Sequence, residues 1–184
     1  MDAMTAFDET DQLLRTLIAG LTPDDREKPT PCAEWNVHDL IGHMCSGGHM
    51  IAGGLEGAAA PDPVPDYLAD GPAAGWDSTA AHMRAAATPE RLQALHQMPF
   101  GEVPGEMAMS VIVADQATHA WDLAIATEQE ARPSAELAAF SLGVWAQLAP
   151  PEGREPGSAF AAAIDVPDGA SAVEQLAGYT GRQP

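Results

Sequence analysis

Residues 107–127 read MAMSVIVADQATHAWDLAIAT, a run of 21 residues without glycine or proline. At 100° per residue, Ala108, Val111, Ile112, Leu123 and Ala126 fall on one side, the side expected to pack inward. Asp115, His119 and Asp122 fall in the middle of that apolar face. A polar group buried without a partner costs about 2 to 7 kcal/mol, and a carboxylate costs more. The segment therefore predicts a core helix whose polar residues need something to satisfy them.

Working outward, the same period recurs. Phe7, Leu13, Leu14, Leu17 and Ile18 predict a helix over Ala3–Ala19, broken by Leu21-Thr22-Pro23. A proline-bearing loop, DDREKPTPCAEW, follows. Asn36 with Asp39 resembles a capping box, and Val37, Leu40, Ile41, Met44, Ile51 and Leu55 predict a helix over 37–57. The stretch AAAPDPVPDYLADGP is a proline-rich connection, long enough for a lid or a crossover. A third helix is predicted over Ala74–Ala87. The run RLQALHQMPFGEVPGE is expected to hold a helical turn and an extended piece ending at Pro104 and Gly105. Ser134–Leu148 predicts another helix, and SAFAAAIDVPDGASAVEQLAGYTGRQP an extended segment before a terminal one. The fold class read from this pattern is all-α, in one domain over residues 1–184.

Composition agrees and narrows the function. Alanine is abundant and aromatics make up only 5% of the chain, which favours close-packed helices. With 27 acidic and 8 basic residues the net charge is −19, so phosphate backbones and anionic membranes are repelled and nucleic acid is not an expected partner. No signal peptide and no membrane span of about 18 apolar residues is visible, and a cytoplasmic location is expected. Cys32 and Cys45 lack Cys-x-x-Cys spacing and suit a reducing compartment, Cys45 as a structural thiol. A Gly-x-Ser-x-Gly elbow, a P-loop and a Gly-x-Gly-x-x-Gly turn are all missing, which removes hydrolase-triad and nucleotide readings.

The chemistry rests on three residues. Asp115 and His119, four apart, place an oxygen and an imidazole nitrogen on adjacent helical turns within about 6 Å. His43 lies beside the apolar stripe of the second helix, where Gly47 and Gly54 are expected to leave room for an ion. Two imidazoles and one carboxylate leave a coordination position open, as catalytic zinc sites do, and nickel, iron or manganese accept the same donors. Asp122 and Asp39, each near a proposed histidine ligand, are candidates for fixing the imidazole tautomers. Each residue also has a plainer reading: a histidine such as His43 is more often bonded to a carbonyl, and Asp115 with His119 can be an ordinary hydrogen-bonded couple. His38, His49, His82 and His96 read as surface or packing residues. Arg84, the one basic residue of the third helix, is a candidate for holding an anionic substrate or cofactor, with a surface role as its plainer reading.

Three segments, PTPCAEWNVHDLIGHM, ADQATHAWDLAIATEQ and the GYTGRQP that follows AFAAAIDVP, together resemble actinobacterial metal-binding proteins related to mycothiol-dependent maleylpyruvate isomerase, in the DinB/YfiT-like superfamily. The resemblance implies a four-helix bundle with an up-down-down-up course, a long crossover and a small C-terminal extension. It implies a divalent metal at one end of the bundle core, on His43, Asp115 and His119. Asp115 stands where the isomerase has Glu, and the isomerase's larger C-terminal domain has no counterpart, so isomerisation of maleylpyruvate itself is not expected. The implied activity is transfer or isomerisation that uses the thiol of mycothiol on a small electrophile. A non-catalytic metal-binding module for stress or sensing, and a metal-dependent hydrolase, are the alternatives. Either a monomer or a homodimer is compatible with the acidic surface.

Overall fold

The computed structural model describes residues 1–33, 35–152, 154 and 160–184. Among them helices dominate. Helix α1 (Ala3–Ala19) starts where the Asp2 carboxylate accepts the Thr5 N–H at 2.9 Å, and it buries Phe7, Leu14, Leu17 and Ile18. Helix α2 (Val37–Glu56) opens on the reciprocal Asn36 and Asp39 cap and closes at Gly57, whose φ of 73° suits a residue without Cβ. Helix α3 (Pro72–Ala86) begins two residues earlier than expected, because a proline in the first turn needs no N–H partner. A short helix α4 (Pro89–Gln93) leads into an antiparallel hairpin of β1 (Leu95–Met98) and β2 (Gly101–Pro104), pairing Leu95 with Pro104 and Met98 with Gly101. Helices α5 (Gly105–Ala126), α6 (Ala135–Leu148) and α7 (Ala172–Tyr179) complete the order.

Helix α5 is the centre of the packing. It lies against α1, α2 and α6, while α3 packs on α2 and α7 on α6. The expected single inward face is therefore corrected: Ala108, Met109, Ile112, Val113, Ala114, Ala117, Ala120, Leu123 and Ala124 are all buried, around most of the helix. Neighbours on three sides remove the solvent-facing side that an amphipathic pattern presumes. Ala114 joins Val144, Trp145, Phe160 and Leu176 in a smaller apolar cluster, separate from the main core. Among the described residues no helix is long and apolar enough to cross a membrane.

The glycines of α2 serve packing rather than an ion. A Cβ on Gly47 would lie 2.9 Å from Ile112 Cδ1, and one on Gly54 would lie 2.6 Å from Met98 Sδ. They let α5 and the hairpin approach α2, and the room expected for a metal beside them is filled by protein.

Candidate metal centre

Helices α2 and α5 bring the sequence-predicted ligands to one point. Asp115 Oδ2 lies 3.2 Å from His43 Nε2, and Asp115 Oδ1 lies 3.5 Å from His119 Nε2. One donor atom from each of the three falls within 4.8 Å of the others. His119 is buried, while His43 and Asp115 keep part of their surface open. They open into a cleft of about 510 Å³, walled also by Pro31, Cys32, Trp35, Trp145, Phe160 and Arg182. The Trp35 ring stands 4.5 Å from that of His43 and 5.7 Å from that of His119, covering one side.

Behind His119 sits a second polar layer. Its Nδ1 is 2.9 Å from Asp122 Oδ2. With Nδ1 donating to that carboxylate, Nε2 is the nitrogen turned to Asp115 and His43, and it would serve a metal once the proton it shares with Asp115 leaves. Asp122 is completely buried and accepts two further bonds from Arg182, 3.0 Å from Nε and 2.7 Å from Nη2. Burial pushes the Asp122 carboxyl up, but the bonds from His119 and Arg182 outweigh it and lower it to about 2. Arg182 is correspondingly held above the ordinary guanidinium range by the same carboxylate. For Asp115, burial is likewise outweighed by the charge of His119 and by bonds from both imidazoles, so it stays ionised far below the usual carboxylate range. His119 is raised in return, against the cost of its burial, first by the charge of Asp115.

Cys32 Sγ is 3.2 Å from Arg182 Nη2 and 3.3 Å from Asp122 Oδ2, and Cys32, His119 and Asp122 form a second cluster of potential ligands. That set fits an ion less well. Both Asp122 oxygens already hold the Arg182 guanidinium, and a cation there would have to displace it. Among the described residues no lysine or arginine pairs directly with His43, Asp115 or His119, and that set faces the cleft.

Other sequence expectations land elsewhere. Asp39 bonds the backbone N–H of Asn36 at 3.3 Å, serving the helix cap rather than a histidine. Arg84 sits as its plainer, surface reading has it: it pairs with Asp8 at 2.7 Å and Asp11 at 3.6 Å and lies 4.8 Å over the Phe7 ring, tying α3 to α1. It is absent from the lining of the cleft. His82 and His49 are not isolated; their Nδ1 atoms are 2.8 Å apart, and His82 Nε2 is 3.1 Å from Glu56. Sequence reasoning missed Arg182, Trp35 and Phe160. For Arg182 a signal existed, since it is the one basic residue between Phe160 and the last residue of a chain with only 8.

The model of the mycothiol maleylpyruvate isomerase N-terminal domain matches residues 7–124, a span that contains all three of these ligand candidates. The chain belongs to that family. Two relatives from Mycobacterium tuberculosis, "Uncharacterized protein MT0763" of strain CDC 1551 / Oshkosh and "Uncharacterized protein Rv0738" of strain H37Rv, are each 34% identical over 189 aligned positions, covering 99% of this chain and 98% of theirs. No solved structure matches the chain. The family match ends at 124, so Arg182 and the cleft wall formed by residues 160 and 180–182 lie beyond the matched region while the ligand candidates lie within it.

Proposed function

We propose that this chain is a divalent-metal protein that uses the thiol of mycothiol on a small electrophile, as a transferase or isomerase, with the ion held by His43, Asp115 and His119. The observation that carries this reading is the convergence of two imidazole nitrogens and one carboxylate on a cleft open to solvent, with the far side of His119 fixed by Asp122. Two nitrogens and one oxygen suit zinc, and iron, nickel or manganese would accept the same set. A bound divalent ion would supply the Lewis acidity that keeps a sulfur as thiolate near neutral pH.

The protein's own groups have distinct tasks in this reading. Asp122 holds the His119 tautomer, Arg182 keeps Asp122 charged, and Trp35 with Phe160 lowers the polarity around a bound sulfur. Arg182 also lines the cleft and is the cation within reach of an anionic electrophile there. In the same reading residues 1–184 form one cytoplasmic unit, with α1, α2, α3 and α5 as the four long helices of a DinB/YfiT-like bundle and α6 and α7 as an added C-terminal layer.

Elemental analysis of the purified protein beside its His119→Ala and Asp115→Ala variants tests the centre. About one equivalent of metal in the native protein, lost in both variants, is the expected result. Thiol-dependent conversion of a small electrophile should then follow metal content. Metal held tightly with no such conversion would favour a binding module, and turnover without thiol would favour metal-assisted hydrolysis.

A further inference from the structure

Away from the His43 cleft, α2 and α3 bring a second pair of imidazoles together. His49 Nδ1 and His82 Nδ1 lie 2.8 Å apart, and neither residue lines that cleft. His49 follows His43 by six residues on α2, which turns it about 120° away around the helix axis. Two ring nitrogens this close need something electropositive between them, either a single shared proton or a metal ion.

The surroundings of the pair favour the ion. His82 Nε2 is 3.1 Å from Glu56 Oε2, a contact in which the imidazole must donate, so neutral His82 carries its proton on Nε2 and turns the Nδ1 lone pair to His49. A carboxylate on the far nitrogen is what orients metal-ligating histidines. Glu56 is held in turn by Arg91, whose Nη1 lies 3.5 Å from Oε1. The His49 ring stacks on Tyr67, with centroids 4.2 Å apart and planes at 11°. Its Nε2 is buried and has no partner among the described residues, so only His82 bears on which nitrogen keeps the His49 proton. Burial first, and the charge of His82 next, hold His49 below its ordinary 6.5, so it is neutral above that pH. The spacing adds a geometric argument. Imidazole nitrogens bind first-row divalent ions at about 2.0 Å, which sets two of them about 2.8 Å apart at a right angle and about 3.3 Å apart at the tetrahedral angle. The separation found here fits the right angle of tetragonal copper(II) and nickel(II) sites.

We infer that His49 and His82 hold a second divalent ion through their two Nδ1 atoms, an ion of the class that takes nitrogen donors at right angles, copper(II) or nickel(II), with Glu56 as the positioning residue for His82. The inference is independent of the proposed thiol chemistry. The side chains of His82 and Glu56 each keep about a third of their surface exposed, so the ion and the waters that complete its coordination reach the pair from solvent. Nitrogen donors bind copper(II) most tightly of the first-row divalent ions. Because His49 belongs to α2 and His82 to α3, the ion ties the two helices together and stabilises the folded chain over the unfolded one.

Copper(II) titrated into chelator-stripped, full-length His119→Ala protein reads this pair, because that variant leaves a single imidazole at the His43 centre. One equivalent is expected, with the electron paramagnetic resonance splitting of two nitrogen ligands and a raised melting temperature. Adding His49→Gln or His82→Gln should abolish the two-nitrogen splitting and weaken binding about tenfold or more, and Glu56→Gln should weaken it about tenfold while leaving the splitting in place. In the protein with His119 intact, His49→Gln should remove one of two copper equivalents, a measurement that stands even if His119→Ala fails to fold. Copper bound without two-nitrogen splitting overturns the inference. So do splitting and affinity that stay unchanged in both histidine variants with native circular dichroism, which would leave the pair as a contact sharing one proton.

Discussion

Asp122 exposes no surface, yet His119, three residues before it, and two nitrogens of Arg182, 60 residues after it, donate to it. Removing one partner of a buried ion pair strands the other charge, which costs about 3 to 5 kcal/mol. Arg182→Met should therefore lower the urea midpoint strongly, and adding Asp122→Leu should recover part of that loss even though His119 then loses its acceptor. A small effect of Arg182→Met would show that water reaches Asp122. The His49 and His82 pair makes a second prediction. Burial first, and the charge of His82 next, hold the His49 imidazole below its ordinary 6.5. The groups facing the pair are Glu56, which His82 and Arg91 both approach, and the Tyr67 ring. The unfolded chain then takes up the proton first, so this contribution to stability is complete above about pH 6.5 and is lost as pH falls through the lowered folded value. Denaturant midpoints should fall between about pH 7.5 and 5.5 and fall less in His49→Gln; equal slopes would place the pH response elsewhere. At this scale His43, Asp115 and His119 were legible because helical spacing or a flanking apolar stripe marks them. The pairing of Arg182 with Asp122 and that of His49 with His82 were not, since no local period connects residues 60 or 33 positions apart, even though Arg182 stands out as a lone cation.

Helix boundaries were largely legible, because capping residues are local signals: Asp2, Asn36 with Asp39, Ser134 and Ser171 each bond a backbone N–H where its helix starts. What an element packs against was not. The apolar face assigned to α5 presumed solvent behind it, and the glycines of α2 were read as space for an ion when they are the contact surfaces of neighbouring helices and the hairpin. The distinction has a measurable consequence. Gly48 lies within α2, where a Cβ would approach Met83 Sδ to 2.9 Å and the Gln116 amide nitrogen to 3.2 Å. Alanine is a better helix former by about 1 kcal/mol, but overpacking costs about 1 to 3 kcal/mol, so Gly48→Ala should destabilise. Gly143, exposed on α6, has nothing within 4 Å of the same position. There Gly143→Ala should stabilise by about 0.4 to 1 kcal/mol. Melting temperatures of the two single variants, measured together, test whether packing or propensity decides at each glycine; a rise in both would contradict the close approach of α3 and α5 to Gly48.

At the scale of the whole molecule the cleft is assembled from the loop around Cys32, from α2 and α5, and from the last turn before Arg182, segments that no sequence window contains together. Net charge, by contrast, is a property the sequence states directly, and the structure shows where it goes. Arg15 pairs with Asp11 and Asp77, Lys28 with Asp25, Arg84 with Asp8, and Arg182 with Asp122. With 27 acidic residues against 8 basic ones, such pairs use up cations and leave a net charge of −19 on the chain. Folding draws those charges closer than they lie in the extended chain, so self-repulsion opposes the folded state. The screening length shrinks from about 30 Å at 0.01 M salt to about 10 Å at 0.1 M, shorter than the span of the molecule. Stability should accordingly rise with sodium chloride across that range at neutral pH, opposite to what the loss of surface ion pairs alone would give. The rise should vanish as the pH approaches the sequence isoelectric point of about 4.3, where the repulsion itself disappears. Potassium chloride should act as sodium chloride does, because screening depends on ionic strength and not on the cation. A melting temperature that stays flat or falls with either salt at neutral pH would mean that the pairs on α1 and α3 contribute more to the fold than the unpaired carboxylates take from it.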